Sequence, residues 1–498
     1  MKMNIRYIGV LFTLISVLMS SCSIDTDPYK GKNDSEALNS LEGLQTATNG
    51  VYSYLKKPQY VRNFHRMAEY SSDNVSLSGG TGDVLLFSYT YEHLVNLSTA
   101  LEFWQTSYQM IYAANKIIEV IGDNADKEYM QLKGECLFIR ALAHFNLVRI
   151  FGRPYVQNAS KNLGVMLRLD ADNNVLPPRS TVAEVYEQVI KDLIAASELM
   201  TINKNANYAS KEVAYGLLCR VYLYMQEYDK SIEYANKVID SGRYQLLSTE
   251  DYVVYNSILP ENNTEAIFAI RHTQVDDRGK NSLSAMYYKA PKNGLGWGEM
   301  YASETLRTLL SKYPQDARNK FIEPQYLLDE NGNIQYGEDG EPLMQTRNGW
   351  PKYYVNKYSW QEGIETLSSP IYMRLAEIYL NRAEAYALKN NALKAIEDVN
   401  LIRRRAGLTE DALFSESDLK GYSSTFDIVM DERWMELCFE CHRTYDIFRN
   451  NLTLNRSYPG FHLNPGETEK YIKPTDDRVV FYIPQKEIIT NPNLIQNP

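Results

Sequence analysis

Apolar residues recur at helical spacing along most of this chain. One such run starts at Trp104-Gln105-Thr106-Ser107-Tyr108 and continues through Ile111 and Asn115 to Ile121. A second, Glu135–Ile150, is apolar on most sides and ends at Phe151-Gly152-Arg153-Pro154, where glycine and proline are the expected stop. Arg179-Ser180-Thr181-Val182 opens a third with a Ser/Thr cap, and Glu184 stands where a capping-box carboxylate reaches back. That helix is predicted to run through Tyr186 and Asp192-Leu193 to about Leu199 and to pair with Ser210–Met225. Tyr228–Ser241 follows, stopped by Gly242. An internal repeat is visible: Arg220…Tyr224…Lys230-Ser231-Ile232-Glu233 lies over Arg382…Tyr386…Lys394-Ala395-Ile396-Glu397, with a difference of two residues in the turn. Hairpins that recur in this way stack into a solenoid.

The pattern changes over about residues 246–370. Short β-branched and aromatic runs (Ala266–His272, Gln335–Tyr336, Tyr353–Lys357) alternate with turn pairs such as Asn331-Gly332 and Asp339-Gly340. They predict a loop-rich region with small hairpins packed on the solenoid. A second irregular stretch covers Tyr70–Asn96. Asp329, Asn331 and Asn333 imitate the start of a calcium loop, but Ile334 stands where Gly is needed and Gly340 where Glu is needed. Asp170, Asp172 and Asn174 fail likewise at Val175 and Thr181, so both segments read as turns.

Three C-terminal segments carry the most specific wording. Met373–Leu408 reads as a tetratricopeptide-type hairpin with an Arg-rich end. Asp431–Asn450 reads as a helix carrying a ladder of Glu432, Arg433, Glu436, Glu440 and Arg443, and Phe481–Pro498 is a tail rich in Pro and Asn. In this order they resemble the C-terminal signature of the SusD/RagB family, the surface glycan-binding lipoproteins of Bacteroidetes nutrient-uptake systems. Upstream blocks fit the same family: Trp104…Tyr108…Asn115, Arg140-Ala141 through Pro154, and Thr181…Tyr186…Asp192-Leu193, with Asp316-Ala317-Arg318 and Gly296-Trp297-Gly298 as weaker support. The resemblance covers nearly all of residues 22–498 and implies one domain there. The expected fold is mainly all-α, a tetratricopeptide-like helical-hairpin solenoid with a loop-rich region containing small β-hairpins. The scaffold is placed at about 100–245 and 365–450, and the ligand-side regions at about 70–96 and 246–370. By the same resemblance, the partner is a TonB-dependent, SusC-like outer-membrane transporter, which the protein caps like a lid while delivering an oligosaccharide.

The N-terminus agrees. Lys2 and Arg6 precede an apolar run, Tyr7–Met19, too short to remain as a bilayer-spanning helix. Met19-Ser20-Ser21-Cys22 follows, which is the layout of a lipoprotein signal: residues 1–21 are removed and Cys22 is acylated. Each buried CH2 of an acyl chain contributes about 0.8 kcal/mol, so several chains would hold the protein on a membrane almost permanently; the resemblance implies the outer membrane, facing the exterior. Asp25 and Asp27 resemble, without matching closely, a surface-export signal.

Loss of Lys2 and Arg6 from the 52 basic residues leaves 50 against 62 acidic ones, a net of −12. Nucleic-acid binding needs concentrated Lys and Arg, so an acidic mature chain argues against it. Cys136 and Cys219 sit in apolar helical patterns and read as core. Cys438-Phe439-Glu440-Cys441-His442 spells the c-type haem motif, but the SusD-like pattern carries a small residue, usually Gly, at the place of Cys441, followed by His and Arg. The segment is therefore explained as a family block with one substitution. There is no H-E-x-x-H, no G-x-S-x-G and no phosphate-binding glycine loop, and His144 lies in an apolar helix. No enzyme activity, cofactor or metal is expected.

Aromatic residues are abundant, with 39 Tyr and 5 Trp. Sugars present C–H faces that stack on flat rings and hydroxyls that need polar partners. The irregular regions supply both: Asp73, Asn74, Tyr89 and Tyr91 in the first, and Arg278, Tyr287, Tyr288 and Trp297 in the second. These eight are the candidate ligand contacts. Tyr108 and Tyr386 are expected to pack helix against helix, and the glycines beside Trp297 also fit a packing role. A related lid for peptides or another nutrient, or one with little affinity of its own, remains the alternative.

Overall fold

The computed structural model describes residues 38–77, 85–123, 126–289, 296–463, 466–468 and 470–498. Cys22 and the leader before it lie outside the described residues. The scaffold helices are α1 (Leu41–Ser53), α2 (Pro58–Ala68), α3 (Ser98–Ile121), α4 (Lys127–Phe151), α5 (Val182–Leu199), α6 (Lys211–Tyr224) and α7 (Tyr228–Ile239). They continue as α8 (Leu375–Leu388), α9 (Ala392–Arg405), α10 (Thr425–Leu437) and α11 (Arg443–Arg449). From α3 to α9 each helix packs on the next, so α7 meets α8 across more than a hundred intervening residues. This is the tetratricopeptide-like solenoid.

Local chemistry sets the helix boundaries. The capping box opens α5: Thr181 Oγ1 accepts from Glu184 N at 3.2 Å, and Glu184 Oε2 accepts from Thr181 N at 2.7 Å. Ser210 caps α6 more simply, its hydroxyl oxygen accepting from Val213 N at 3.4 Å. Helix α4 is apolar around its circumference because α1, α3 and α5 enclose it. Inside that core Arg140 is satisfied by Asp192 at 2.6 and 2.7 Å and by Asn115 at 2.9 Å. Three of the family-like blocks thus meet in one buried polar knot. His144 is also interior, hydrogen-bonded to the Arg140 carbonyl oxygen at 3.1 Å.

The two irregular regions join each other. Val75–Leu77 pairs antiparallel with Met300–Ala302, Val75 opposite Ala302. Ala266–Ala269 pairs with Ile371–Arg374, tying the start of the excursion to its return. Between them Ile322–Pro324 pairs with Tyr353–Val355. The calcium-like string is a turn, with Asp329 Oδ1 accepting the backbone N–H groups of Asn331 and Asn333, each at 2.8 Å.

The helix expected over Asp431–Asn450 is broken. α10 stops at Leu437 and α11 begins at Arg443. Between them Phe439 and Cys441 take φ of 66° and 62°, the left-handed region that a Cβ disfavours. This geometry explains why a small residue suits the place of Cys441. The N–H groups of Phe439 and Cys441, freed from the helix, donate to the buried Glu69 carboxylate at 3.1 and 2.8 Å. Asn74 Nδ2 donates to the same carboxylate at 2.6 Å. Burial pushes the Glu69 carboxyl up to about 7, against the lowering effect of those donors.

The ladder's three glutamates anchor a buried ionic network. Glu432 accepts from Arg318 at 2.7 Å and Arg403 at 2.8 Å. Glu436 accepts from Arg374, Arg405 and, at 2.9 Å, the Tyr252 hydroxyl. Glu440 accepts from Lys357 at 2.5 Å and Arg374 at 2.8 and 2.9 Å. Glu265 and Asp316 complete it, bound to Arg374 and Arg318. Five cations (Arg318, Lys357, Arg374, Arg403, Arg405) therefore face five carboxylates (Glu265, Asp316, Glu432, Glu436, Glu440) in an almost fully buried cluster. It bolts the loop-rich excursion to α9 and α10.

Candidate ligand-binding recess

Six of the eight predicted contacts are interior. Asp73 is 3% exposed and paired with Arg443 at 2.9 Å. Asn74 is fully buried between Glu69 and the Trp434 indole N–H, which donates to it at 2.5 Å. Tyr89 meets His462 at 2.8 Å, and Tyr91 donates to the Ser71 carbonyl at 2.8 Å. The Tyr287 hydroxyl meets His65 Nδ1 at 2.9 Å. Tyr288 packs edge-on against Tyr354 and Trp360, and burial pushes its hydroxyl up to about 12. The physical reason is that a region built from short strands and turns still needs a core. Tyr70, Tyr89 and Tyr287 build it together with Val75, Leu77 and Met300. Their ring faces are closed to a ligand in this structure.

Arg278 and Trp297 are at the surface, and a single turn of chain relates them. Arg278 precedes the 3-10 turn Gly279–Asn281. The Trp297 indole N–H donates to the Lys280 carbonyl of that turn at 3.0 Å, while Lys280 Nζ lies 5.2 Å from the ring centre. Trp297 is 48% exposed, held out by two glycines with positive φ. A Cβ on Gly296 would lie 2.2 Å from the Tyr288 carbonyl oxygen, so the close approach requires glycine there.

Arg278 and Asn281 line a recess of about 940 Å3. Its other walls are the α1–α2 corner (Lys56, Lys57, Arg62, Arg66) and the outer edge of α3 (Glu102, Gln105, Gln109). Gln105 and Gln109 are shared with a second hollow of about 480 Å3 lined by Tyr54, Tyr108, Tyr112, Arg168 and Asp170. The two form one trough along α3, amide- and cation-rich at one end and aromatic at the other. Lys57 and Tyr54 connect the ends, with Lys57 Nζ 3.8 Å from the Tyr54 ring centre. Sequence reasoning missed these residues because the basic ones carry no motif and Tyr108 and Tyr112 sit on a regular helix, where a tyrosine pattern reads as packing. Tyr108 does pack, donating to the Met166 carbonyl at 2.9 Å, but it also lines the trough. The half-buried pair Tyr108 and Tyr112, four residues apart on one face, was the available signal.

The fold and the trough define the class as a helical-hairpin solenoid with a recess on its flank. A family profile described as "Starch-binding associating with outer membrane" matches residues 24–223, and one described as "SusD family" matches residues 312–498. A SusD-like protein of Formosa agariphila is 24% identical over 99% of both chains, and another from that organism is 27% identical over 79% of both. A SusD superfamily crystal structure from Bacteroides thetaiotaomicron superposes with a TM-score of 0.79 at 29% identity, covering 92% of this chain and 100% of that one. A putative sugar binding protein from Bacteroides vulgatus gives 0.76 at 28%, covering 92% and 98%. The chain belongs to the SusD-like family. Members of that family are binding proteins of outer-membrane nutrient uptake that generally take carbohydrate and work with outer-membrane transporters. Among the described residues no helix is long and apolar enough to cross a membrane.

Proposed function

We propose that this protein is a cell-surface, lipid-anchored receptor for an oligosaccharide, which it collects in the α3 trough and hands to a TonB-dependent, SusC-like transporter. The supporting observation is the trough itself, where aromatic faces adjoin amides and charged groups in the combination that sugar recognition needs. One wall of it, α3, is a well-packed helix, so little ordering of that side opposes binding. Cys22 supplies the anchor in this reading, and the one domain spans residues 22–498. The excursion at 246–370 contributes Arg278 to the wall, and Trp297 is held on the turn that follows it.

Calorimetry of residues 23–498 against plant, host and microbial glycans, with a mixed peptide pool for comparison, tests the binding reading. Glycan binding that weakens in Trp297→Ala and Tyr112→Ala is the expected result. Binding confined to peptides, or absent throughout, refutes glycan capture. For the anchor, Cys22→Ala should move the full-length protein from the membrane to the soluble fraction. Retention on the membrane would refute it. Co-purification of the transporter with tagged full-length protein tests the partnership.

A further inference from the structure

The charge of the recess opposes that of the chain. The whole sequence carries a formal −10. The recess walls hold Lys56, Lys57, Arg62, Arg66 and Arg278 against Glu102 and Asp276. Asp276 is neutralised locally by Lys56 at 3.0 Å. Glu102 accepts from the Asn63 amide at 3.0 Å, and Arg66 donates to the same amide's oxygen at 3.2 Å, so neutral groups hold both. Arg66 Nε–H is buried and has no acceptor among the described residues. Lys57 faces the Tyr54 ring, a contact that leaves its charge in place. Lys57, Arg66 and Arg278 thus present positive charge into a concave wall, where field lines concentrate and draw in anions.

Resting on the glycan reading above, we infer that the ligand is an acidic oligosaccharide, bearing uronic carboxylates or sulfate esters. Its anions lie over Lys57, Arg66 and Arg278, and its sugar faces lie over Tyr112. Guanidinium groups suit this task, since their fork of donors matches carboxylate and sulfate oxygens two at a time. From Glu102 to Tyr112 the helical rise is about 15 Å, room for a short run of sugars. The aromatic continuation favours a polymer with C–H faces over a small free anion, which would use the cationic end alone.

The test is calorimetry of residues 23–498 with three probes of similar length: an oligogalacturonate, a sulfated carrageenan oligosaccharide and a neutral galacto-oligosaccharide. At least one acidic probe should bind about tenfold tighter than the neutral one and lose about tenfold between roughly 50 and 300 mM NaCl, as screening requires. Which acidic probe binds identifies carboxylate or sulfate as the recognised group. In the double variant Lys57→Gln, Arg278→Gln that affinity should fall by about tenfold or more, while Tm is unchanged because both side chains lie at the surface of the recess. A neutral probe bound as tightly, without salt dependence, overturns the acidic assignment and leaves glycan capture standing. Acidic binding that the double variant does not weaken overturns the assignment to this recess. Binding of none of the three, while peptides bind, overturns both this inference and the reading it rests on.

Discussion

Replacing Glu436 by Gln keeps the shape of the side chain and removes one negative charge from the buried cluster. Four carboxylates would then face five cations, and Arg374, Arg405 and Arg318 would lose the group they converge on. Breaking a buried ion pair from one side costs about 3–5 kcal/mol, because the remaining charge stays desolvated. The unfolding entropy of a chain this long is about 1 kcal/mol per kelvin, so the expected fall in Tm is about 3–5 °C. Differential scanning calorimetry at neutral pH reads it directly. Arg405→Met restores the balance of charge, so the double variant should lose about 1–3 kcal/mol less than the two single losses together. The pH dependence has a definite sign. Burial alone would raise the Glu436 carboxyl, but Arg405, Arg374 and Arg318 prevail and hold it well below the ordinary range. A folded value below the unfolded one means that the stabilisation is complete above the usual glutamate pKa. It is lost as the pH falls through the acid range, so the gap between wild type and Glu436→Gln should shrink toward pH 3. A Tm within about 1 °C of wild type, or strictly additive losses, would refute the account of one shared cluster.

Glu69 should behave in the opposite sense. Its carboxyl is raised by burial from 4.5 to about 7, so the fold holds a proton that the unfolded chain has released, and stability falls as pH rises through that window by about 3 kcal/mol. Melting curves at pH 5 and pH 8 should show this slope in the wild type and a flatter one in Glu69→Gln. Tyr287→Ala removes a fully buried ring and the partner of His65, a loss of about 3–5 kcal/mol measurable by urea unfolding. Trp297→Ala, half exposed, should leave that transition within about 0.5 kcal/mol. The four cysteines among the described residues are free and buried. A thiol reagent should therefore label none of them in folded residues 23–498 and all four in denaturant. Rapid labelling of the native protein would contradict the interior placement of Cys438 and Cys441.

The hairpins were legible because their signals are local. The Thr181–Glu184 capping box, the stop at Gly242 and the matched Arg220 and Arg382 strings each depend on a few adjacent residues. The break at Cys438–His442 was not legible, since it depends on Glu69, far away in the chain, satisfying two left-handed residues. The burial of the candidate contacts was missed for a related reason. Tyrosines in irregular sequence look available, yet pairing of Val75–Leu77 with Met300–Ala302 folds those segments onto each other and turns Tyr89 and Tyr287 inward. Arg278 and Trp297 stayed outside, while Arg66 and Tyr112 were hidden in helices and Lys57 in the bend before α2. The family-like blocks mark interior joints, such as Asn115–Arg140–Asp192, so they identify the fold more readily than the ligand.

Direct packing of α7 on α8 lets the stack of hairpins run on as though the intervening segment had never been spliced in. Natural variation is thereby free to lengthen, shorten or exchange that segment with little disturbance to the helical frame, provided its ends still meet at Ala266–Ala269 and Ile371–Arg374 and its arginines still reach the ladder. One frame of this kind suits a repertoire of receptors that differ in diet while sharing a skeleton.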